Sequence, residues 1–151
     1  MTKILFVCHG NICRSVMAEC IFAHKARKRG ISAEFAVSSA ATSREEVGNP
    51  IYPPAARKLR EKGVPLLPHR ARQMTAADYE QYDLLIGMEE CNLRNMRRIT
   101  LGDPQGKMRR LLDFTARPGD VDDPWYTGDF ETAWRDIDAG CEALLDALIK
   151  R

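Results

Sequence analysis

The feature that most narrows what this chain can fold into lies near its start. Ile4-Leu5-Phe6-Val7 is an unbroken apolar run, followed at once by Cys8-His9-Gly10-Asn11-Ile12-Cys13-Arg14-Ser15 and then by a stretch with helical spacing. A strand without polar alternation is one covered on both faces, as in a parallel sheet. The order strand, glycine-bearing loop, helix turns backbone N–H groups toward one point, with the positive end of the helix dipole behind them. Such a nest suits a tetrahedral dianion. Arg14 can add a bidentate fork to two of the anion's oxygens. Cys8 would sit beneath it, where the same field favours a thiolate, which is a nucleophile. Two other readings stand beside this one. Cys8 and Cys13 can be half of a zinc site, although zinc wants four ligands in short paired spacings and no C-x-x-C or H-x-x-x-H pair follows. Cys8 can also be a plain buried residue at a strand end. A nucleotide-binding G-x-x-x-x-G-K-[ST] loop does not match.

With 151 residues the chain has room for one domain and a real core. At 44% hydrophobic and 29% charged it reads as soluble and globular. A net charge of +2 is too small to argue for nucleic acid from bulk charge. Five unevenly spaced cysteines, an odd number, argue against a secreted disulfide scaffold and for a reducing compartment, so a cytoplasmic location is expected. The first apolar run stops at His9-Gly10-Asn11, too short for a signal peptide or a membrane span.

Periodicity and turn residues order the rest. A strand is expected over Lys3–Val7 and a helix from Ser15 to Arg29, with Met17, Ile21 and Phe22 inward and Gly30 closing it. Its basic end, His24 to Arg29, suits a solvated helix terminus better than a phosphate backbone. Glu34–Ser38 reads as a second strand, and Ser39–Gly48 as a long polar loop of the kind that carries function. Pro53-Pro54 opens a helix that Gly63 ends, and Thr75 is expected to cap a short helical turn with Asp78. Asp83–Gly87 is a third buried strand, Glu89–Ile99 a helix, Arg110–Leu112 a fourth strand, and Arg117–Asp123 a loop. Phe130, Ala133, Trp134, Ile137, Cys141, Leu144, Leu145 and Leu148 mark the last helix. The expectation is a single α/β domain over residues 1–151: a four-stranded parallel sheet, doubly wound with helices on both faces, Rossmann-like and three-layered. Ligands bind at the carboxyl ends of such strands, where the Cys8 loop lies.

Phosphoryl transfer to Cys8 would leave an alkoxide or phenoxide in need of a proton. Asp122-Asp123-Pro124-Trp125-Tyr126, in an irregular loop, holds the best donor. The plainer alternative is that Asp-Asp-Pro only turns the chain before the last helix.

Taken together, Cys8 to Ser15 resembles the signature loop of the low-molecular-weight protein tyrosine phosphatases, and Asp123-Pro124-Trp125-Tyr126 their Asp-Pro-aromatic-Tyr acid loop. Ser39-Ala40-Ala41-Thr42-Ser43, His69-Arg70-Ala71-Arg72-Gln73 and Asn92-Leu93-Arg94 also have counterparts in that family, so the resemblance spans nearly the whole chain. It implies hydrolysis of protein phosphotyrosine through a cysteinyl-phosphate. Cys8, Arg14 and Asp123 would be the catalytic residues. His9, Gly10, Asn11, Ile12, Cys13, Arg14 and Ser15 would bind phosphate, Ser15 would donate to the Cys8 sulfur, and Asn11 would fix the loop with Ser39. Ile12, Glu45, Trp125 and Tyr126 would line the substrate pocket. Cys8 and Cys13 could form a reversible disulfide. The resemblance implies no metal and no cofactor. Partners would be phosphotyrosine-containing proteins, not nucleic acid or membrane, with a monomer as the working expectation.

Some relatives act on phosphoarginine, and the resemblance links those to threonine where this chain has Ile12. Glu45 stands where many members carry an aromatic wall residue. Glu89 replaces a common aspartate expected to pair with His69. Arsenate reductase shares the fold, but its relay needs two closely spaced downstream cysteines, whereas Cys91 and Cys141 are far apart. A phosphate-binding sensor module would need neither the nucleophile nor the acid.

Overall fold

The computed structural model describes residues 1–150; Arg151 lies outside the described residues. Four strands, β1 (Thr2–Cys8), β2 (Phe35–Ala41), β3 (Leu84–Gly87) and β4 (Met108–Arg110), pair in parallel in the order β2-β1-β3-β4. The apolar run at the start explains why β1 is central. Ile4, Phe6 and Cys8 point into one core and Leu5 and Val7 into another, on the opposite face. Three helices cover the first face: α1 (Arg14–Lys28), α2 (Pro53–Glu61) and α6 (Phe130–Ile149). The other face is covered by α3 (Ala77–Gln81) and α4 (Glu90–Thr100), through Tyr79, Leu93 and Met96. A single turn, α5 (Pro124–Thr127), precedes α6. The result is the doubly wound α/β domain expected from the alternation of elements. Among the described residues no helix is long and apolar enough to cross a membrane.

From β1 the chain steps to β2 on one side and later to β3 on the other, so the strand order reverses there. That reversal opens a crevice at the carboxyl end of β1, and the Cys8–Ser15 loop fills it.

Several boundaries differ from expectation, each for a packing reason. Strand β2 runs on through Ser39-Ala40-Ala41, expected as loop, because it pairs with β1 residue for residue from Thr2–Phe35 to Cys8–Ala41. Glu34 belongs instead to a 3-10 turn, Ser32–Glu34. Strand β4 ends at Arg110; Leu111–Phe114 form a 3-10 turn that carries Leu111 off the sheet edge and under Gly140 of α6. Thr75 does not cap α3 through its hydroxyl. The Asp78 carboxylate reaches back to accept from the Thr75 N–H at 2.8 Å. The basic end of α1 is committed within the fold: Lys25 pairs with Asp138 and Glu142, and Arg29 with Asp146 and Glu142, all on α6.

Candidate active site

The loop between β1 and α1 is held from outside by its carbonyls. Cys8 O accepts from Thr42 N at 2.9 Å, His9 O from Ser43 N at 3.1 Å, and Ile12 O from Tyr52 N at 2.8 Å. Among the described residues no hydrogen bond uses the N–H groups of residues 9–14. Donors left free in a loop whose Cys8, His9 and Ile12 carbonyls are tied outward form an anion nest.

Asn11 is the turning point of that loop. It is fully buried, with φ at +59°, a left-handed conformation that costs most residues ~1–2 kcal/mol. Three contacts fix it. Its Nδ2 donates to Ser15 Oγ at 2.9 Å, its Oδ1 accepts from the Arg72 N–H at 3.1 Å, and its carbonyl accepts from His69 Nε2 at 2.6 Å. A carbonyl only accepts, so the proton of His69 is on Nε2. Burial pulls the His69 imidazole below its ordinary value, against the opposing pull of that carbonyl bond, and so favours the neutral ring. Ser39 is not the partner of Asn11: its hydroxyl donates to Glu19 Oε1 at 2.6 Å, because β2 carries it toward α1 rather than toward the loop. Nor does Glu89 reach His69. Its carboxylate lies against Arg14, with closest approaches of 3.3 and 3.4 Å.

Cys8 Sγ lies 3.1 Å from Ser15 Oγ. Since Asn11 already donates to that oxygen, the serine's own proton is left to turn toward the sulfur. Arg14 is 2% exposed, and every partner of its guanidinium belongs to this site. Nη1 donates to the Val121 carbonyl at 2.8 Å, and Nη2 lies 3.3 Å from Asp123 Oδ2. Burial works against its charge, but the neighbouring Cys8, Asp123 and Glu89 outweigh it and hold the guanidinium above its ordinary value. Asp123 caps α5 by accepting from Trp125 N at 3.0 Å with Oδ1, which leaves Oδ2 facing the arginine. Asp122 is exposed to solvent, so position favours Asp123 as the acid.

A cavity of about 130 Å³ opens over these groups. It is lined by Cys8, His9, Gly10, Ile12, Cys13 and Arg14 of the loop, by Glu45 and Glu46 of the segment after β2, and by Asp123, Trp125 and Tyr126. Trp125 is 52% exposed and packs on Tyr52 at 4.7 Å between ring centres, the rings tilted by 46°, so it walls the cavity rather than filling the core. His9 Nε2 and Glu45 Oε2 meet at 2.8 Å across the rim. Burial drives the Cys13 thiol far up from its ordinary value, with Cys8 and Asp123 adding to the effect, so it stays protonated. Both Cys8 and Cys13 are free thiols. Among the described residues no three His, Cys, Asp or Glu side chains gather as a metal site, which leaves the zinc reading of Cys8 and Cys13 without a ligand set.

Sequence reasoning missed Arg72, Val121 and Tyr52. Each reaches the loop or Arg14 through its main chain, which carries no residue-specific signal; Tyr52 in addition packs its ring on Trp125.

Comparison with known proteins agrees with this geometry. The low molecular weight phosphotyrosine protein phosphatase family model matches residues 3–151. The low molecular weight protein-tyrosine-phosphatase YfkJ of Bacillus subtilis is 37% identical over 152 residues, 99% of this chain and 97% of its own. A low molecular weight phosphotyrosine protein phosphatase of Homo sapiens is 36% identical, over 95% of this chain and 94% of its own. The crystal structure of YfkJ superposes with a TM-score of 0.96, covering 99% of this chain and 96% of that one. A Drosophila arginine phosphatase superposes with a TM-score of 0.87 at 29% identity, covering 97% of this chain and 98% of its own.

Proposed function

The chain belongs to the low-molecular-weight phosphotyrosine protein phosphatase family and is a protein-tyrosine phosphatase; from that premise we propose that it hydrolyses phosphotyrosine in proteins through a phosphate ester on Cys8. The observation that carries the mechanism is the placing of the Asp123 carboxyl 3.3 Å from the Arg14 guanidinium, in one cavity with the Cys8 sulfur.

In the first step the Cys8 thiolate attacks phosphorus. The S–P bond forms as the bond from phosphorus to the tyrosine oxygen breaks, and Asp123 gives that oxygen its proton. Arg14 and the free N–H groups of residues 9–14 meet the charge on the three equatorial oxygens, where preorganised donors stabilise the transition state most. In the second step Asp123, now a carboxylate, takes a proton from water. The water oxygen attacks phosphorus and the sulfur departs with its electron pair. Ser15 donates to the departing sulfur, held in place by Asn11. The sum is ester plus water to tyrosine plus phosphate.

The ring of phosphotyrosine would lie between Ile12 and the Trp125–Tyr126 wall, with Glu45 and His9 at the opposite rim. Phosphotyrosine-containing proteins of the cytoplasm are the proposed partners. Peroxide would convert the Cys8 thiolate to a sulfenic acid, which condenses with the Cys13 thiol, releasing water, to give a reducible disulfide. A Cys8–Cys13 peptide that thiol reduces, with recovery of activity, supports this; irreversible loss without that peptide refutes it.

Assay of a phosphotyrosine peptide beside a phosphoarginine peptide tests the function itself, with thioredoxin-linked arsenate reduction as a third arm. Turnover of phosphotyrosine, with phosphate trapped on Cys8 in acid-quenched samples, is expected. Preference for phosphoarginine would overturn the reading of Ile12. Binding without turnover would leave a sensor module.

A further inference from the structure

We propose that Asp120 is a positioning residue for the proton donor: it pins the root of the segment that carries Asp123 and so sets where that carboxyl stands. The proposal rests on Asp123 being the acid. Asp120 Oδ1 accepts from two groups on different elements, the Glu90 N–H that begins α4, at 3.0 Å, and Arg110 Nη1 at the end of β4, at 3.1 Å. Arg110 is itself held from the other side by Asp113, at 3.2 and 3.0 Å. The next residue, Val121, is fully buried; its N–H donates to Met88 O at 2.8 Å, and its carbonyl accepts from Arg14 at 2.8 Å.

Three consecutive groups are thus tied to α4, β4, the end of β3 and the catalytic arginine. Only the exposed Asp122 separates this clamp from Asp123. Beyond the acid the ties are those of the short turn itself: Trp125 N donates to Asp123 Oδ1 at 3.0 Å, Tyr126 N and Thr127 N to the Asp123 carbonyl, and the Trp125 ring packs on Tyr52, while Trp125 and Tyr126 are 52% and 84% exposed. Trp125 N and Arg14 orient the carboxyl locally, and the Asp120 side ties the turn that carries it to α4 and β4. One residue of extended chain spans about 3.3–3.6 Å, so a small rotation at the root moves the acid by an ångström or more. Displacements of that size cost up to about 100-fold in rate. The competing explanation is that Asp120 only satisfies the start of α4. That role predicts a loss of stability and no dependence on the leaving group.

The test compares kcat/KM for p-nitrophenyl phosphate, whose leaving group departs unaided, with phenyl phosphate, whose leaving group needs the proton. Wild type, Asp120→Ala, Asp120→Asn, Asp123→Asn and the Asp120→Ala, Asp123→Asn pair are measured, with thermal unfolding of each. Asp120→Ala is expected to lower kcat/KM about 10-fold on phenyl phosphate and at most about 2-fold on p-nitrophenyl phosphate. Asp120→Asn keeps an acceptor oxygen for the Glu90 N–H and should fall between it and wild type. In the Asp123→Asn background, removing Asp120 should cost nothing more. Equal losses on both substrates, or losses that multiply in the pair, would overturn the proposal. Should Asp120→Ala not fold, the asparagine variant carries the same comparison. If Asp123→Asn alone shows no leaving-group effect, the acid is misassigned and the proposal falls with it.

Discussion

At Asn11 a left-handed backbone, a buried amide and the loop from Cys8 to Ser15 meet in one residue. Alanine there would remove the bond to Ser15 and leave the Arg72 N–H without its acceptor. A buried donor left unpaired costs ~1–3 kcal/mol and the Arg72 N–H is part-buried, so Asn11→Ala should lower unfolding free energy by about 1 kcal/mol in urea titrations. It should also lower kcat, because the Ser15 hydroxyl is no longer oriented at the sulfur. The acid makes a second case. Asp123→Asn should slow phenyl phosphate turnover by about 10²–10⁴-fold, while Asp122→Asn, altering an exposed side chain, should stay within a few-fold of wild type. If Asp122→Asn proves the more damaging, the donor is one residue earlier. That Cys8, Arg14 and Asp123 meet at one cavity was legible in the sequence, because the proposed chemistry calls for those residue types and the loops set their spacing. The partners of Asn11 were not. Arg72 contributes an N–H that any residue but proline has, and His69 binds a carbonyl rather than the carboxylate expected of it. The Glu89 carboxylate was placed on the wrong partner; it sits at the start of α4, with its N–H on Asn92 Oδ1 at 3.1 Å, on the side of Arg14.

Between elements, the contact of α6 with the turn after β4 shows why helix and strand boundaries read with different success. Helix α6 was visible from its apolar spacing alone, since period and burial agree over five turns. The end of β4 was not, because Arg110-Leu111-Leu112 suits a strand edge and a 3-10 turn equally in composition. What decides it is Gly140. A Cβ built there would lie 2.5 Å from Leu111 Cγ, so the helix rests directly on that leucine. Leu111 is fully buried and has no room to yield. Alanine is the better helix former by ~1 kcal/mol, yet overpacking a closed core costs ~1–3 kcal/mol. The second effect should win: Gly140→Ala is expected to be destabilised by roughly 1 kcal/mol in urea unfolding. A more stable variant would show that the helix can lift away without cost. Strand β2 teaches the same lesson from the other side. Ser39-Ala40-Ala41 looked like loop by composition, but seven residues of β1 impose seven on their neighbour.

Across the whole molecule, the outermost layer is fastened by charge as well as by apolar packing. Lys25 on α1 and Arg29 at its C-cap face Asp138, Glu142 and Asp146 on α6, the helix that also carries Ile137, Cys141, Leu144 and Leu145 into the core. The sequence showed the basic half of this arrangement as a charged helix end; only the fold could reveal that α6 brings the matching acids to it from more than a hundred residues away. The Lys25 hydrogen bond holds Glu142 below the ordinary carboxylate range, with burial opposing and Arg29 assisting. A carboxylate whose value is lower folded than unfolded adds stability above its unfolded value, ~4.3, and loses it as pH falls through the folded one. Glu19 works in the opposite sense. Burial raises it, so its protonation on acidification favours the folded state and blunts the loss. Because Glu142 is 44% exposed, solvent screening holds its share to about 0.5 kcal/mol. Glu142→Gln should therefore lower stability by about that amount at pH 7 and leave it nearly unchanged near pH 3.5, with the gap between the two curves closing below about pH 4.5. High salt should narrow the same gap at pH 7, since it screens exposed pairs. Urea unfolding across that pH range measures both effects, and parallel wild-type and variant curves would show that the charges between α1 and α6 contribute nothing to holding them together.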